Sequence, residues 1–176
     1  DKMNELAAEI KAKHPEIEID VIPLDLAVPD SPDNLYAQVK ASGREVEVLI
    51  NNAGFGLYGM FMETDWARTE ALLQLDIVAL THMTRVFAAD MVTRRSGYIL
   101  QVASIGAFQP SPTYAAYSAA KSYVLYFGEA LNFELRPHHV KVTVLAPGVT
   151  KTAFLEVSGQ KPTLYQRLVM MQSPTV

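Results

Sequence analysis

Tyr117 and Lys121 stand four residues apart in a segment, 113–136, that reads as a helix, so their side chains share one face about a turn apart. A free tyrosine ionises near 10 and is a poor base at neutral pH. An ammonium ~5 Å away at an effective dielectric of ~20 favours phenolate by roughly 3 kcal/mol, or about two pKa units. That would bring the phenol to around 7 to 8, the range of a general acid/base working near neutrality. The pattern Tyr-x-x-x-Lys also arises by chance in many helices. Ser104 lies thirteen residues before Tyr117, where the apolar segment 98–103 ends. Its hydroxyl could donate to a carbonyl oxygen beside the tyrosine hydroxyl, so that both polarise one C=O. Taken alone it is equally a serine capping a strand end. Asn51-Asn52-Ala53-Gly54 directly follows another apolar run. Small residues there let a backbone approach a ligand closely, and asparagine side chains can bond backbone groups, although an Asn/Gly turn explains part of the pattern.

These residues need a scaffold. Met3, Leu6, Ala7 and Ile10 fall on one helical face, and Pro15 closes that helix. Ile17, Ile19, Val21 and Leu24 predict a strand ending at Asp25. Pro29, Ser31 and Pro32 form a turn, with Ser31 as N-cap and Pro32 at the first helical position of a helix running to about Ala41 and stopping at Gly43. A strand over 46–50, a long helix over 65–95 closed by Gly97, a strand over 98–103, the helix over 113–136 ended by Pro137 and a strand over 140–146 follow. Strands separated by helix-length segments predict a single α/β domain over 1–176 with a doubly wound, Rossmann-like parallel sheet. Three of the four strands read as apolar runs, the pattern expected when helices cover both faces. In such sheets the ligand crevice lies outside the carboxyl ends of the strands, which directs attention to Asp25–Leu26 and to segments 51–54, 103–113 and 147–152.

Bulk properties narrow the classes. The chain has 176 residues, 49% of them apolar and 19% charged, as in an ordinary soluble domain. A net charge of −4 gives no basic footprint for nucleic acid. With no cysteine, disulfides, thiolate catalysis and cysteine zinc sites are excluded. No apolar run reaches the ~20 residues that cross a bilayer, and no signal segment opens the chain. No membrane partner and a cytoplasmic setting are therefore expected. His14, His82, His138 and His139 lack a metal-ligand pattern, and His138-His139 are expected in an exposed loop.

Together, Asn51-Asn52-Ala53-Gly54, Ser104, Tyr117, Lys121 and Pro147-Gly148 followed by Thr152 resemble the short-chain dehydrogenase/reductase family, in order and over essentially the whole chain. The resemblance implies hydride transfer between a nicotinamide, NADP in preference to NAD, and a carbonyl or secondary alcohol. It implies that Tyr117 gives or takes the hydroxyl proton, Lys121 lowers its pKa and bonds the cofactor ribose, and Ser104 orients the carbonyl. Asp25 and Leu26 look like the family's adenine contact. Asn51, Ala53 and Gly54 look like its cofactor-side turn, and Pro147, Gly148, Thr150 and Thr152 like the hold on the nicotinamide end. Phe108, Pro110 and Phe154, with Leu155, Leu164, Tyr165, Leu168, Met170 and Met171, suggest an apolar substrate pocket. The family usually pairs subunits through its two long helices, here 72–87 and 124–135, which implies a homo-oligomer.

Two departures stand out. The family carries an asparagine in the long helix as a fourth catalytic residue, linked to the lysine through water. Here Asp76 occupies that position, which leaves open a nucleotide-binding or regulatory protein without turnover. No Gly-x-x-x-Gly-x-Gly phosphate cradle occurs. The first two family strands and the last one are absent, so the chain is expected to be part of a longer protein, with an inactive fragment as the alternative. In the family's strand order 3-2-1-4-5-6-7, the strand over 17–24 would then have no neighbour.

Overall fold

A computed structural model describes residues 2–151, 154–160 and 171–172. Helix α1 (Lys2–Lys13) buries none of its residues, and α2 (Ser31–Ala41) follows after an irregular segment with turns. Strand β1 (Val48–Asn51) leads into α3 (Trp66–Leu73), a π-helical segment (Gln74–Ala79) and α4 (Leu80–Arg94), which form one continuous helix. Strand β2 (Gly97–Val102), α5 (Ala115–Leu135) and β3 (Val140–Leu145) complete the central unit. Beyond it lie β4 (Thr150–Lys151), α6 (Phe154–Ser158) and β5 (Met171–Gln172), with β4 and β5 paired in parallel.

The main sheet is parallel in the order β1-β2-β3, with Leu49 opposite Ile99 and Ile99 opposite Val142. Successive side chains alternate between faces. Leu49, Ile99, Val140 and Val142 therefore share a core with Met83, Phe87 and Met91 of α4, and Leu35, Tyr36 and Val39 of α2 pack against it. Val124 and Leu125 of α5 join Leu80 and Ala103 in a second cluster. Two glycines permit this close packing. A Cβ at Gly128 would lie 2.4 Å from Val144 Cγ2, and one at Gly97 would lie 2.5 Å from Met91 Sδ.

Several expectations change. Residues 17–25 form no strand, because no described segment pairs with them and an edge has no stability without a partner's hydrogen bonds. The cap of α2 is Asp30, one residue earlier than expected, and the Ser31 hydroxyl instead donates to the Asp25 carbonyl at 2.6 Å. Among the described residues the helices cover one sheet face; on the other, Val48, Ile50, Tyr98 and Leu145 are exposed. The continuous helix Trp66–Arg94 is also long and apolar enough, by length and composition, to cross a membrane. Here it is a core helix, with Leu72, Asp76, Leu80, Thr84, Phe87 and Met91 buried against the sheet and α5. His138 is partly buried in a short 3-10 turn and His139 is exposed, with φ of 58°.

Candidate active site

The carboxyl ends of β1, β2 and β3 open onto one cavity of about 700 Å³, within the usual size of small-molecule sites. Ser104, Tyr117, Lys121, Gly54, Pro147, Gly148, Thr150 and Phe154 all line it. Ser104 is placed by the junction of two strands. Ala103 N–H donates to the Leu145 carbonyl at 2.8 Å, and Ile105 N–H donates to Pro147 at 3.0 Å. The Ser104 hydroxyl caps the 3-10 turn Ile105–Ala107, accepting from Gly106 N–H at 3.1 Å, and lies close enough to Tyr117 to act on its ionisation. Tyr117 projects from the first turns of α5 between two rings, Tyr114 at 5.8 Å and Phe154 at 5.3 Å between centroids.

One turn on, the Lys121 ammonium donates to the Val102 carbonyl at 3.2 Å and lies 5.7 Å from the Tyr117 ring centre. It also sits 3.1 Å from Asp76 Oδ2. Asp76 comes from the π-helical segment, a local widening that recurs at functional sites and that the sequence pattern does not reveal. Its side chain is wholly buried behind Lys121, outside the cavity wall. The lysine contact is close but poorly aligned, so neither carboxylate oxygen receives a well-directed hydrogen bond. Burial pushes the Asp76 carboxyl above its ordinary value; the Lys121 charge and the Phe55 N–H oppose that rise.

The expected tuning of Tyr117 is not what the structure holds. Its pKa is raised, first because the phenol is buried, against a lowering by Ser104 and with further increases from the Asp76 carboxylate and Tyr114. The sequence estimate placed a lone ammonium beside the phenol, whereas the fold places a carboxylate on that ammonium.

Other predicted residues fall elsewhere. Asn51 turns into the core, where its Nδ2 donates to Thr84 Oγ1 at 2.9 Å and to Gln101 Oε1 at 3.1 Å. Gln101 Nε2 also donates to Thr84 Oγ1 at 2.9 Å, so Asn51 ties β1 to β2 and α4, and Asn52 lines the cavity instead. The correction follows from strand alternation: Asn51 is in register with Gln101 and shares its inward face. Ala53 is exposed and outside the lining, and Phe108 points to solvent at 66% exposure. Asp25 and Leu26 also lie outside this cavity, with the Asp25 carboxylate accepting from Ala27 N–H at 2.9 Å. Thr152, Leu164, Tyr165, Leu168 and Met170 lie outside the described residues.

The sequence reading missed Tyr114, three residues before Tyr117 and so on the same face of α5. Its hydroxyl meets Gln160 Oε1 at 2.7 Å and Ser158 Oγ at 3.2 Å, joining α5 to α6. It also missed Gly56 and Gly59, which with Gly54 make the run Gly54-Phe55-Gly56-Leu57-Tyr58-Gly59. That run has the spacing of a phosphate loop, but no helix begins there. A Cβ at Gly54 would lie 2.8 Å from Asp76 Oδ1, and one at Gly56 would lie 2.4 Å from Phe154 Cζ. These glycines make room for the site's own side chains.

The sequence matches the family model for short chain dehydrogenase over residues 1–163. The chain belongs to the short-chain dehydrogenase family. Among its relatives, it is 31% identical over 161 residues to a very-long-chain 3-oxoacyl-CoA reductase of Phaeosphaeria nodorum, covering 89% of this chain and 47% of that one. A short-chain dehydrogenase from Sphingobium yanoikuyae in complex with NADPH superposes with a TM-score of 0.87 at 27% identity, over 96% of this chain and 65% of that one. A putative NAD(P)-dependent gluconate 5-dehydrogenase from Beutenbergia cavernae with bound NADP is 32% identical, with a TM-score of 0.78, over 86% and 59% of the two chains. The chain thus spans about half the length of the curated relative described and about two thirds of these structures.

Of the residues expected to hold the nicotinamide end, Tyr117, Lys121, Gly54, Pro147, Gly148 and Thr150 line one cavity. Gly54 and Gly148 expose backbone to the cavity, Lys121 and Tyr117 reach into it, and Pro147 and Thr150 form its far wall. Thr150 is held there by a hydrogen bond from its hydroxyl to the Gly148 carbonyl at 3.2 Å. This donor set fits that end of the cofactor. Among the described residues, no group of three or more His, Asp or Glu is arranged to hold a metal.

Proposed function

We propose that the protein carrying this chain is an NADP-dependent oxidoreductase that interconverts a carbonyl and a secondary alcohol. The supporting observation is the meeting of Ser104, Tyr117 and Lys121 on one cavity with Pro147 and Gly148. Lys121, Tyr117, Pro147, Gly148 and Thr150 would hold the nicotinamide–ribose end. The cofactor would supply the hydride or accept it. In reduction, Ser104 donates to the substrate oxygen, and Tyr117 donates its phenolic proton as that oxygen gains charge. In oxidation the same proton returns to the Tyr117 phenolate. NADP is preferred to NAD because relatives in complexes carry NADP or NADPH.

An apolar substrate fits the walls. Phe55, Ile105, Phe154, Leu155 and Val157 line the cavity, and the relative from Phaeosphaeria nodorum reduces 3-oxoacyl chains by its name. A homo-oligomer is proposed through the long helices, where Val78, Tyr123, Tyr126 and Phe133 are exposed. The setting proposed is cytoplasmic. The test is a panel of ketones, 3-oxoacyl thioesters and secondary alcohols, assayed at 340 nm with NADPH and NADP+ using the protein at its natural length. Consumption of a carbonyl that disappears in Tyr117→Phe supports the reading. Nucleotide binding with no turnover across the panel refutes it.

A further inference from the structure

Asp76 is a fully buried carboxylate that touches the charged lysine of the site yet faces no substrate. We propose that it is a positioning residue. It ties the Lys121 ammonium into a buried, charge-neutral pair, keeps Tyr117 a proton-donating phenol at neutral pH, and so confines the phenolate form that accepts a proton from an alcohol to alkaline pH. This rests on the oxidoreductase reading above and names what sets the pH dependence of that site.

The geometry carries the argument. Lys121 Nζ is held between two oxygens, Asp76 Oδ2 at 3.1 Å and the Val102 carbonyl at 3.2 Å, while the centre of the Tyr117 ring is 5.7 Å away. A bare ammonium at that distance would draw the phenol's ionisation down. Paired with a carboxylate, it acts on Tyr117 as a short dipole, whose field falls off much faster than that of a single charge. The pair cannot drift apart, because Lys121 is 5% exposed and Asp76 0%. Gly54 seals it from the turn side, since even a methyl group there would meet both Asp76 Oδ1 and Lys121 Nζ.

The other titratable neighbours do not restore the lost cation. Tyr114 faces Tyr117 from the same helix and Tyr58 faces Tyr114 from the 52–65 loop. Ser104 approaches from the end of β2, and Phe154 packs from α6. Of the charged residues on elements packed against α5, Arg68 of α3 donates to the Val157 carbonyl and Lys141 of β3 lies over Tyr98. Glu70 of α3 is exposed. Burial pushes the Tyr117 phenol up, in the same direction.

The test reads Tyr117 without turnover. The protein at its natural length is titrated by phenolate absorbance near 295 nm, alone and with NADP+, and the Tyr117→Phe curve is subtracted. The difference should show Tyr117 in the parent ionising above the ordinary tyrosine value. In Asp76→Asn the midpoint should fall by roughly one to two pH units as Lys121 is left uncompensated. The alkaline rise of the alcohol-oxidation rate should move down by the same amount. A parent midpoint below the ordinary tyrosine value overturns the proposal by itself, and so does an unmoved midpoint in a folded Asp76→Asn protein. Should that variant fail to fold, the parent midpoint still decides. A panel without turnover refutes the oxidoreductase reading and leaves the titration to judge Asp76 separately.

Discussion

Gly54→Ala probes how tightly the buried pair is enclosed. Gly54 does not occupy the left-handed region, so alanine imposes no backbone strain and only the added methyl counts. That methyl would lie 2.8 Å from Asp76 Oδ1, 3.1 Å from Lys121 Nζ and 3.3 Å from Asp76 Cγ. The first contact is roughly half an ångström short of a relaxed carbon–oxygen separation. Neither neighbour can swing out to solvent, and Lys121 is anchored to the Val102 carbonyl. Overpacking of this kind costs about 1–3 kcal/mol. For a chain of this length that lowers the melting temperature by about 2–12 °C, since each kcal/mol is worth roughly 2–4 °C. A shift of a few tenths of an ångström at Lys121 should also reduce kcat/KM on the order of tenfold, given the sensitivity of catalysis to placement. Calorimetry and steady-state kinetics on parent and variant read both effects. Gly43→Ala is the informative contrast: no atom lies within 4 Å of its Cβ, but φ is +71°, so any loss there is conformational. A Gly54→Ala protein that melts within a degree of the parent with unchanged kcat/KM would refute the close enclosure of Asp76 and Lys121.

Further outcomes follow from the same contacts. Tyr117→Phe should lower kcat for carbonyl reduction by about 10²–10⁴-fold while NADPH affinity, read by fluorescence titration, changes little. Equal losses in both would assign Tyr117 to cofactor binding instead. Gly128→Ala should destabilise by about 1–3 kcal/mol, because its methyl would meet Val144 Cγ2 at 2.4 Å and force α5 off the sheet. Urea unfolding measures this, and an unchanged midpoint would contradict the packing of α5 on β3. For Asp76, the folded pKa lies above the ordinary 3.8, so between 3.8 and the folded value the folded protein holds a proton that the unfolded chain has released, and above it the carboxylate pairs with Lys121. Its contribution to stability is therefore fullest below 3.8 and is lost as pH rises through the folded value. Asp76→Asn should flatten the decline in urea midpoint between that pH and neutrality, and a slope identical to the parent's would count against a raised Asp76.

Much of this site is legible along the chain because its chemistry is encoded in local spacing. Tyr117 and Lys121 share a face through the helical repeat alone. Ser104 and Pro147-Gly148 stand where apolar runs end, which is where a parallel sheet presents its crevice. The structure places all of them on one cavity. What spacing does not carry is the direction of individual side chains and the charge around them. Asn51 and Asn52 are adjacent and chemically identical, yet strand alternation sends one to Thr84 and Gln101 in the core and leaves the other at the cavity. Asp76 and Lys121 are distant in sequence, so only the packing of the π-helical segment against α5 makes them a pair. Burial of the phenol reverses the expected direction of the Tyr117 shift, and the Asp76 carboxylate adds to it. The sequence alone determined which groups can move a proton and at which sheet edge they gather. Tertiary structure decided which charges face one another, because electrostatic tuning depends on distances of a few ångströms between elements that the chain does not join.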